Sequence, residues 1–231
     1  MATRHNPHIT CNPVKLQHSR AATDNLMKLM STENTEITFI QEPYLYRNKP
    51  KGITSGYRTY THGEGKSRGA LIINDTLDTL LIIQLSDSDT VLLEIHKGRK
   101  IFYAVIVYMD YNESIENNLQ TLQNILEFTG GAKLIIAIDS NAVSKTWYGV
   151  TTNYRGKILE ELVASYQLHI VNEDSPRKTF QISRGSSNID LTIVNNQMLP
   201  VIKNWEKSEE ESVSDHNILI FNINFENDKT N

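Results

Sequence analysis

Residues 209–221 read Glu-Glu-Glu-Ser-Val-Ser-Asp-His-Asn-Ile-Leu-Ile-Phe, an acidic polar run that leads into an apolar strand. Ser214, Asp215 and His216 therefore stand where that strand begins. An adjacent acid and imidazole form a solvated turn more often than a reactive site, so these residues alone decide little. What they mean depends on which other residues reach the same place.

Three other strands predicted from apolar runs carry a carboxylate at one end. Glu42 follows the run 36–41, Asp139 follows the run 134–138, and Asp190 precedes the run 191–194. Carboxylates at strand ends that converge on a histidine are what metal-assisted phosphodiester cleavage requires. The pattern predicts that these residues, distant in sequence, meet at one edge of the fold.

The composition excludes several classes of protein. The chain has 231 residues, 39% of them hydrophobic, which is enough for a sizeable core, and no apolar run is long enough to span a membrane. Its one cysteine, Cys11, excludes a disulfide framework and a cysteine-based zinc site. The N-terminus lacks the apolar core of a signal peptide, so an intracellular location is expected. The net charge of −4 means that any contact with nucleic acid must come from a local basic face or from partner domains.

The hydrophobic periodicity predicts about ten strands and three helices, the helices at Arg20–Met30, Ser114–Phe128 and Arg155–Tyr166. We expect one domain over residues 1–231, with its core at about 9–224 and a polar linker at 225–231. Strands that arrive mostly in hairpin runs, with helices between them, indicate an α+β fold of two packed mixed sheets with helices outside.

The strand that ends at Asp139 gives the strongest single signal. Asp139 and Asn141 follow the most apolar strand of the chain, and residues i and i+2 point the same way in an extended chain. We therefore expect the carboxylate and the amide to project together. A carboxylate can orient or deprotonate water, and an amide can donate to a phosphate oxygen. Asp190 is the natural partner for a histidine that must keep one tautomer.

Five ordered motifs together resemble the exonuclease–endonuclease–phosphatase superfamily, which includes DNase I and the apurinic/apyrimidinic endonucleases. Three further stretches are similar to the endonuclease domains of arthropod non-LTR (LINE-type) retrotransposons. The five motifs are Gln41–Tyr44, Val107–Tyr108, Asp139–Ala142, Ser187–Thr192 and Ser214–Asn217, and the further stretches are Leu16–Thr23, Trp147 with Thr151–Gly156, and Arg184–Ser187.

The resemblance implies a DNase I-like four-layer α/β/β/α sandwich and a magnesium-dependent endonuclease, with manganese as a possible substitute. The implied product is a nick with a 3′-hydroxyl, made in double-stranded nuclear DNA, that a fused reverse transcriptase extends; the isolated domain is expected to be a monomer. Glu42 and Asp215 are implied to bind the metal ion, and Asp139 to position the attacking water. Asn141, Tyr108 and His216 are implied to stabilise the charge of the phosphate. Asp190 would orient His216, and Ser214 would support the loop that carries His216.

Candidate DNA contacts lie in three loops that are rich in basic and aromatic residues, namely 57–68, 145–155 and 177–184, the last within the hairpin region 177–187. A hairpin in the third loop is the region that, by resemblance, senses the minor groove. The candidates are Arg58, Lys66, Arg68, Lys145, Trp147, Tyr148, Arg155, Arg177, Lys178 and Arg184.

One position departs from the family pattern. Such domains usually carry asparagine before the Leu-Gln-His-Ser stretch, and this chain has Lys15 there, with Asn12 three residues upstream. An ammonium beside Glu42 and Asp139 would compete with the metal ion. Lys15 keeps open one alternative to the endonuclease, a DNA-binding remnant that this lysine has weakened catalytically. A second alternative, a phosphomonoesterase or RNA deadenylase, stays open because such enzymes share the same fold.

Overall fold

Two six-stranded sheets form the centre of the structure, a computed structural model that describes residues 8–226. Within that range the three α-helices are α1 (Arg20–Thr32), α2 (Glu116–Thr129) and α3 (Tyr154–Ser165). The strands in the same range are β1 (His8–Lys15), β2 (Ile37–Gln41), β3 (Leu45–Tyr46), β4 (Lys49–Pro50), β5 (Tyr57–Tyr60), β6 (Gly69–Asn74), β7 (Asp78–Leu81), β8 (Thr90–Lys97), β9 (Lys100–Tyr108), β10 (Leu134–Asp139), β11 (His169–Ile170), β12 (Phe180–Ile182), β13 (Gly185–Ser187), β14 (Asp190–Val194), β15 (Ile202–Lys207) and β16 (Leu219–Asn224).

Both sheets are mixed. The first has the spatial order β15–β16–β1–β2–β6–β5, in which β1 and β2 are parallel and the other pairs are antiparallel. The second has the order β11–β14–β10–β9–β8–β7, in which β9 and β10 are parallel and the other pairs are antiparallel. The carboxyl ends of β1 and β2, and those of β9 and β10, therefore each lie together at one edge of a sheet.

The sheets pack face to face, and their central strands are buried on both sides. In β6, Leu71 and Ile73 enter the core between the sheets, whereas Ala70 and Ile72 pack on the opposite face under α1. This alternation follows from the two-residue period of an extended chain. It explains why the central strands are nearly continuous apolar runs rather than alternating ones.

The helices cover the two outer faces. Helix α1 packs on the first sheet, and α2 and α3 pack on the second. Side chains cap two of the helices: the Ser19 hydroxyl accepts from the Ala22 amide at 3.2 Å, and the Asn153 side chain accepts from the Gly156 amide at 2.7 Å. Helix α2 ends at Gly130, which has φ of +56°. The predicted four-layer α/β/β/α sandwich is confirmed.

The structure corrects the predicted boundaries in three places. The predicted loop 57–68 begins with the edge strand β5, and the helix predicted at Ser114–Phe128 begins at Glu116 and ends at Thr129. Phe225 was assigned to the polar linker, but its ring packs against Phe102 with centroids 5.7 Å apart. The rest of that linker, residues 227–231, lies outside the described residues. No helix in the described part of the chain combines the length and apolar character needed to span a membrane.

Candidate active site

The strand ends that carry the predicted residues meet at one edge of the two sheets. Asp139, the last residue of β10, pairs in register with Tyr108 at the end of β9 and with Asp190 at the start of β14. In the first sheet, Lys15 at the end of β1 pairs with Gln41 at the end of β2.

Gln41 joins these two edges. With its amide oriented by its neighbours, the side chain donates to the Val14 carbonyl at 2.9 Å and accepts from the Asp139 amide at 3.2 Å. A buried side chain thus links the two sheets directly below the site. Gln41 belongs to one of the five sequence motifs, but its position in a strand did not predict that its side chain would contact the other sheet.

Asp190 and His216 form a buried pair. The Nδ1 atom of His216 lies 2.9 and 3.0 Å from the two carboxylate oxygens of Asp190, and His216 is 1% exposed. Because a carboxylate only accepts hydrogen bonds, Nδ1 carries the proton and Nε2 is left for a ligand. Burial alone would lower the pKa of His216, but the charge of Asp190 and its hydrogen bond outweigh burial and raise that pKa above its usual value.

Neighbouring residues hold this pair in place. The Thr179 hydroxyl accepts from the Asp190 amide at 3.1 Å, and the Phe180 ring lies 4.9 Å from the imidazole, centroid to centroid. The Ser214 hydroxyl accepts from the His216 amide at 3.3 Å and donates to the Lys15 carbonyl at 2.7 Å. Ser214 therefore ties the histidine loop to the first sheet. Nothing in the sequence pointed to Thr179.

Asp139 completes a cluster with this pair. One ligand atom each from Asp139, Asp190 and His216 lies within 4.8 Å of the others, and the three residues are buried. Burial, together with the charge of Asp190, raises the pKa of Asp139 to about 6, although Lys15 and His216 act in the opposite direction. Oδ2 of Asp139 lacks an aligned hydrogen-bond donor. Two acids and an imidazole in this arrangement can move a proton and hold a cation.

Lys15 lies between Asp139 and Glu42. Its Nζ atom is 2.9 Å from Asp139 Oδ2 and 3.6 Å from Glu42 Oε2, and it stands 4.8 Å from the centroid of the Tyr108 ring. The contact with Asp139 is an ion pair rather than an aligned hydrogen bond, because Oδ2 has no donor in hydrogen-bonding geometry. Burial alone would lower the pKa of Lys15, but the two carboxylates raise it, so the side chain is an ammonium at neutral pH.

Asn12 does not take the place of the missing asparagine. The register of β1 and β2 is continuous, with Asn12 opposite Thr38 and Lys15 opposite Gln41. The Asn12 side chain is fully buried and accepts from the Thr35 hydroxyl at 2.6 Å. Lys15 alone therefore stands at the end of this strand.

Two candidate residues have a strained backbone. Glu42 and Asn141 have φ of +47° and +45°, a left-handed conformation that costs non-glycine residues energy and is found preferentially at functional sites. The strand ends at Asp139, so the extended spacing assumed for Asn141 was wrong. Its side-chain amide donates to the Met109 carbonyl at 2.9 Å instead of projecting beside the carboxylate, although its backbone amide lies 3.3 Å from Asp139 Oδ1.

Glu42 and Asp215, the predicted metal ligands, lie outside the three-residue cluster. Glu42 is near His18, whose Nε2 atom is 4.0 Å from the carboxylate. The Asp215 carboxylate accepts from Gln17 Nε2 at 3.0 Å, and the Gln17 amide oxygen accepts from the Asp215 amide at 3.2 Å. Gln17 was missed as a site residue, although it stands in the Leu-Gln-His-Ser stretch that supported the resemblance.

A family model described as Endonuclease-reverse transcriptase matches residues 102–220, more than half of the chain. The chain belongs to this family. It is 29% identical over 192 residues to the retrovirus-related Pol polyprotein from type-1 retrotransposable element R1 of Bradysia coprophila, covering 78% of this chain and 19% of that protein. It is 27% identical over 211 residues to a putative 115 kDa protein in type-1 retrotransposable element R1DM of Drosophila melanogaster, covering 87% and 20%. The chain thus spans about a fifth of the length of these relatives.

Solved structures agree with this family. The endonuclease domain of TRAS1, a telomere-specific non-LTR retrotransposon, superposes with a TM-score of 0.86 at 28% identity, covering 94% of this chain and 99% of that chain. The AP endonuclease LMAP from Leishmania major superposes with a TM-score of 0.75 over 94% of this chain and 88% of its own, and at 11% identity it shows the fold alone. The resemblance to non-LTR retrotransposon endonucleases is confirmed.

Several residues that were predicted to contact DNA make their contacts within the protein instead. Trp147 is fully buried, and its ring nitrogen donates to the Ala142 carbonyl at 3.2 Å, so this prediction was wrong. A large aromatic side chain in a loop was taken for a contact surface because loop residues are usually exposed. Here the loop folds back onto the core of the second sheet.

Two predicted arginines have most of their donors occupied within the protein. Arg68 pairs with Asp89, Asp110 and Glu113, which neutralise its charge and link the two sheets. Arg155 donates to the backbone carbonyls of Met109, Glu113 and Ser140, and burial lowers its pKa below the usual range. Both guanidinium groups hold loops around the site and have little capacity left for a phosphate.

The remaining candidates divide into two groups. Three have internal partners: Arg58 pairs with Asp75 at 3.4 Å, Arg177 donates to the Ser208 carbonyl, and Lys178 pairs with Asp174 at 3.0 Å. The others are exposed, with Arg184 at the turn of the β12–β13 hairpin, and they comprise Lys66, Lys145, Tyr148 and Arg184.

Proposed function

We propose that this chain is a magnesium-dependent endonuclease that nicks double-stranded DNA and leaves a 3′-hydroxyl from which a reverse transcriptase can extend. The observation that carries the proposal is the buried cluster of Asp139, Asp190 and His216 at the edge where both sheets end. Membership of the endonuclease–reverse transcriptase family supports it. The curated relatives, named as products of R1 retrotransposable elements and about five times longer, support fusion to a reverse transcriptase.

His216 is assigned the role of stabilising charge on the scissile phosphate. Asp190 keeps the Nδ1 proton in place, which directs Nε2 to the substrate. The raised pKa of His216 favours the doubly protonated ring, in which Nε2 can donate to a phosphate oxygen. The buried carboxylate balances that charge without competing for the substrate.

Asp139 is assigned the role of orienting the attacking water and taking its proton. Its raised pKa of about 6 is suited to a general base near neutral pH. Tyr108 is assigned to the phosphate oxygens, together with the second side-chain N–H of Asn141, whose first N–H donates to the Met109 carbonyl. Burial raises the pKa of Tyr108 to about 12, so its hydroxyl stays protonated and can donate a hydrogen bond.

The donors around this edge fit a hard divalent cation. Glu42, Asp139 and Asp215 supply carboxylate oxygens, and a cation already contacts the buried Asp139 Oδ2, because the Lys15 ammonium lies 2.9 Å from it. We assign the metal to Glu42 and Asp215, with Mg²⁺ favoured and Mn²⁺ as its substitute. When bound, the ion would polarise the scissile phosphate and neutralise the leaving 3′-oxygen.

Nicking of supercoiled plasmid tests the function directly. We expect conversion to the nicked circle with MgCl₂ and none with excess EDTA. Because the proposed product end is a 3′-hydroxyl, a DNA polymerase should extend the nick without prior phosphatase treatment. Nicking that persists in EDTA, or ends that require a phosphatase before extension, would contradict the proposal.

Exposed basic residues on two loops are proposed to contact the DNA backbone. In an Asp139→Asn background, which binds without cutting, we expect Lys145→Ala with Arg184→Ala to weaken duplex binding about tenfold and to reduce the slope of log K against log salt by about 2. Fluorescence anisotropy at four salt concentrations measures both quantities. Lys203→Ala, an exposed lysine on the edge strand β15, is the control, and an unchanged slope in the double variant would exclude these contacts.

The ion pair of Lys15 with Asp139 favours a second candidate, a DNA-binding domain with reduced turnover. It predicts duplex affinity without appreciable magnesium-dependent nicking, and gain of nicking in Lys15→Asn. If wild-type protein nicks efficiently and Lys15→Asn brings no gain, this candidate is excluded.

A further inference from the structure

We propose that the Lys15 ammonium is the resident cation of the acidic site, and that a divalent metal ion binds only by displacing it. The inference rests on the proposed function for the kind of ion that enters. It goes further in assigning a chain residue as the competitor that sets metal affinity and stabilises the metal-free protein.

The contacts of the ammonium are those that a bound cation would seek. Asp139 Oδ2 lies 2.9 Å and Glu42 Oε2 lies 3.6 Å from Nζ, and the face of the Tyr108 ring lies beneath it. Asp139 is fully buried, and Lys15 is only 8% exposed. A charged carboxylate in such a place is costly unless an opposite charge compensates it, and Lys15 provides that compensation.

The backbone of Lys15 is fixed, so the side chain alone can move. The residue pairs in register with Gln41, the next amide donates to the Gln41 carbonyl at 2.9 Å, and its own carbonyl accepts from Ser214 at 2.7 Å. Displacement is therefore a rotation of a flexible four-carbon stem, which leaves the strand and the histidine loop in place.

Competition has a predictable size and sign. A divalent ion and an ammonium about 4 Å apart repel each other, even in a water-like dielectric, by enough to weaken binding about thirtyfold, so the ammonium must leave when the ion binds. Its departure breaks the contacts with Asp139 and Glu42, and we expect this loss to weaken metal binding by a similar factor, which removal of the ammonium would restore. The same change leaves Asp139 and Glu42 without compensation, so the metal-free protein should lose stability that a metal ion restores.

The experiment compares Lys15→Gln with wild type by two measurements that need no catalysis. Electron paramagnetic resonance of free Mn²⁺ gives the dissociation constant, and thermal unfolding at pH 7.5 with EDTA or with 1 mM Mn²⁺ gives the melting temperature. We expect about thirtyfold tighter Mn²⁺ binding in Lys15→Gln. Its melting temperature in EDTA should fall by about 10 °C and recover with Mn²⁺, whereas the wild type should respond weakly.

Three controls make the test decisive. Lys28→Gln changes the net charge equally on the exposed face of α1 and should resemble wild type. Lys15→Arg keeps the charge and should bind Mn²⁺ as weakly as wild type does. Lys15→Met keeps the length of the side chain without its charge and should behave as Lys15→Gln does if the glutamine variant folds poorly.

Equal Mn²⁺ affinities in wild type, Lys15→Gln and Lys15→Met would overturn the inference, as would equal stability in EDTA. The outcome is separable from the proposed function. Tighter Mn²⁺ binding with no nicking in any variant would leave the inference standing and remove the function. Nicking with unchanged affinities would do the reverse.

Discussion

Replacement of His216 by alanine is expected to lower the nicking rate on supercoiled plasmid by about a thousandfold, with little change in duplex affinity. The imidazole is buried at the edge where the sheets meet and is held by Asp190, so alanine removes a fixed, oriented Nε2 donor. Loss of one oriented donor or proton-transfer group costs about 10² to 10⁴ in rate. Initial rates under saturating Mg²⁺, with anisotropy for binding, separate turnover from affinity.

The histidine prediction has a matched control. His169 lies on β11, where its Nε2 atom is 2.6 Å from the Asn196 side-chain oxygen, and His169→Ala should nick at the wild-type rate. Asp190→Asn should lose much of the rate as well, because an amide no longer fixes the Nδ1 proton. Nicking by His216→Ala at the wild-type rate would show that the imidazole is not part of the site.

The sequence could predict the fold and the edge of the site because both depend on strands. Apolar runs that end in Asp139 and Asp190 fix which strands are central, and the register of β10 with β14 then brings the two carboxylates together. Their meeting with His216 follows from the same strand ends. Hydrophobic periodicity carries this information locally, without knowledge of the loops.

The parts that the sequence could not predict depend on loops and on partners that are distant in the chain. The Asn141 side chain points away from the Asp139 carboxylate because the chain adopts a left-handed conformation at Asn141, which the residue types at this position did not predict. Trp147 and Arg155 stand in loops and read as contact residues, yet one is buried and the other binds backbone carbonyls. Whether a loop side chain faces solvent or the core depends on tertiary packing that a single sequence does not show.

The sequence predicted that Lys15 lies near the acidic residues of the site, but only the structure gives its distances to them. The departure from the family pattern placed an ammonium near Glu42 and Asp139, and the structure shows it in contact with both. What the pattern left open was whether Asn12 could compensate, and the continuous register of β1 with β2 excludes that. A lysine that would ordinarily be expected at the surface is here part of the charge balance of the site.

Asp139→Asn is expected to lower the nicking rate about a thousandfold while leaving the fold intact. Asparagine keeps the shape of the buried side chain but cannot accept a proton from water, so it removes the proposed general base without creating a cavity. The wild-type rate should also depend on pH. Because burial raises the pKa of Asp139 to about 6, its carboxylate is mostly protonated at pH 5, and the rate should rise with pH, reach half its maximum near pH 6 and then level off.

Initial nicking rates from pH 5 to pH 8, with Mg²⁺ held constant, measure this dependence. A bound cation favours the ionised carboxylate, so the acid limb should move to lower pH as the Mg²⁺ concentration rises. Asp24→Asn, an exposed acid on α1, should keep both the rate and the limb of the wild type. If Asp139→Asn kept the wild-type rate, or kept an acid limb near pH 6, the proton acceptor would have to be another carboxylate, and Asp139 would serve only as the partner of Lys15.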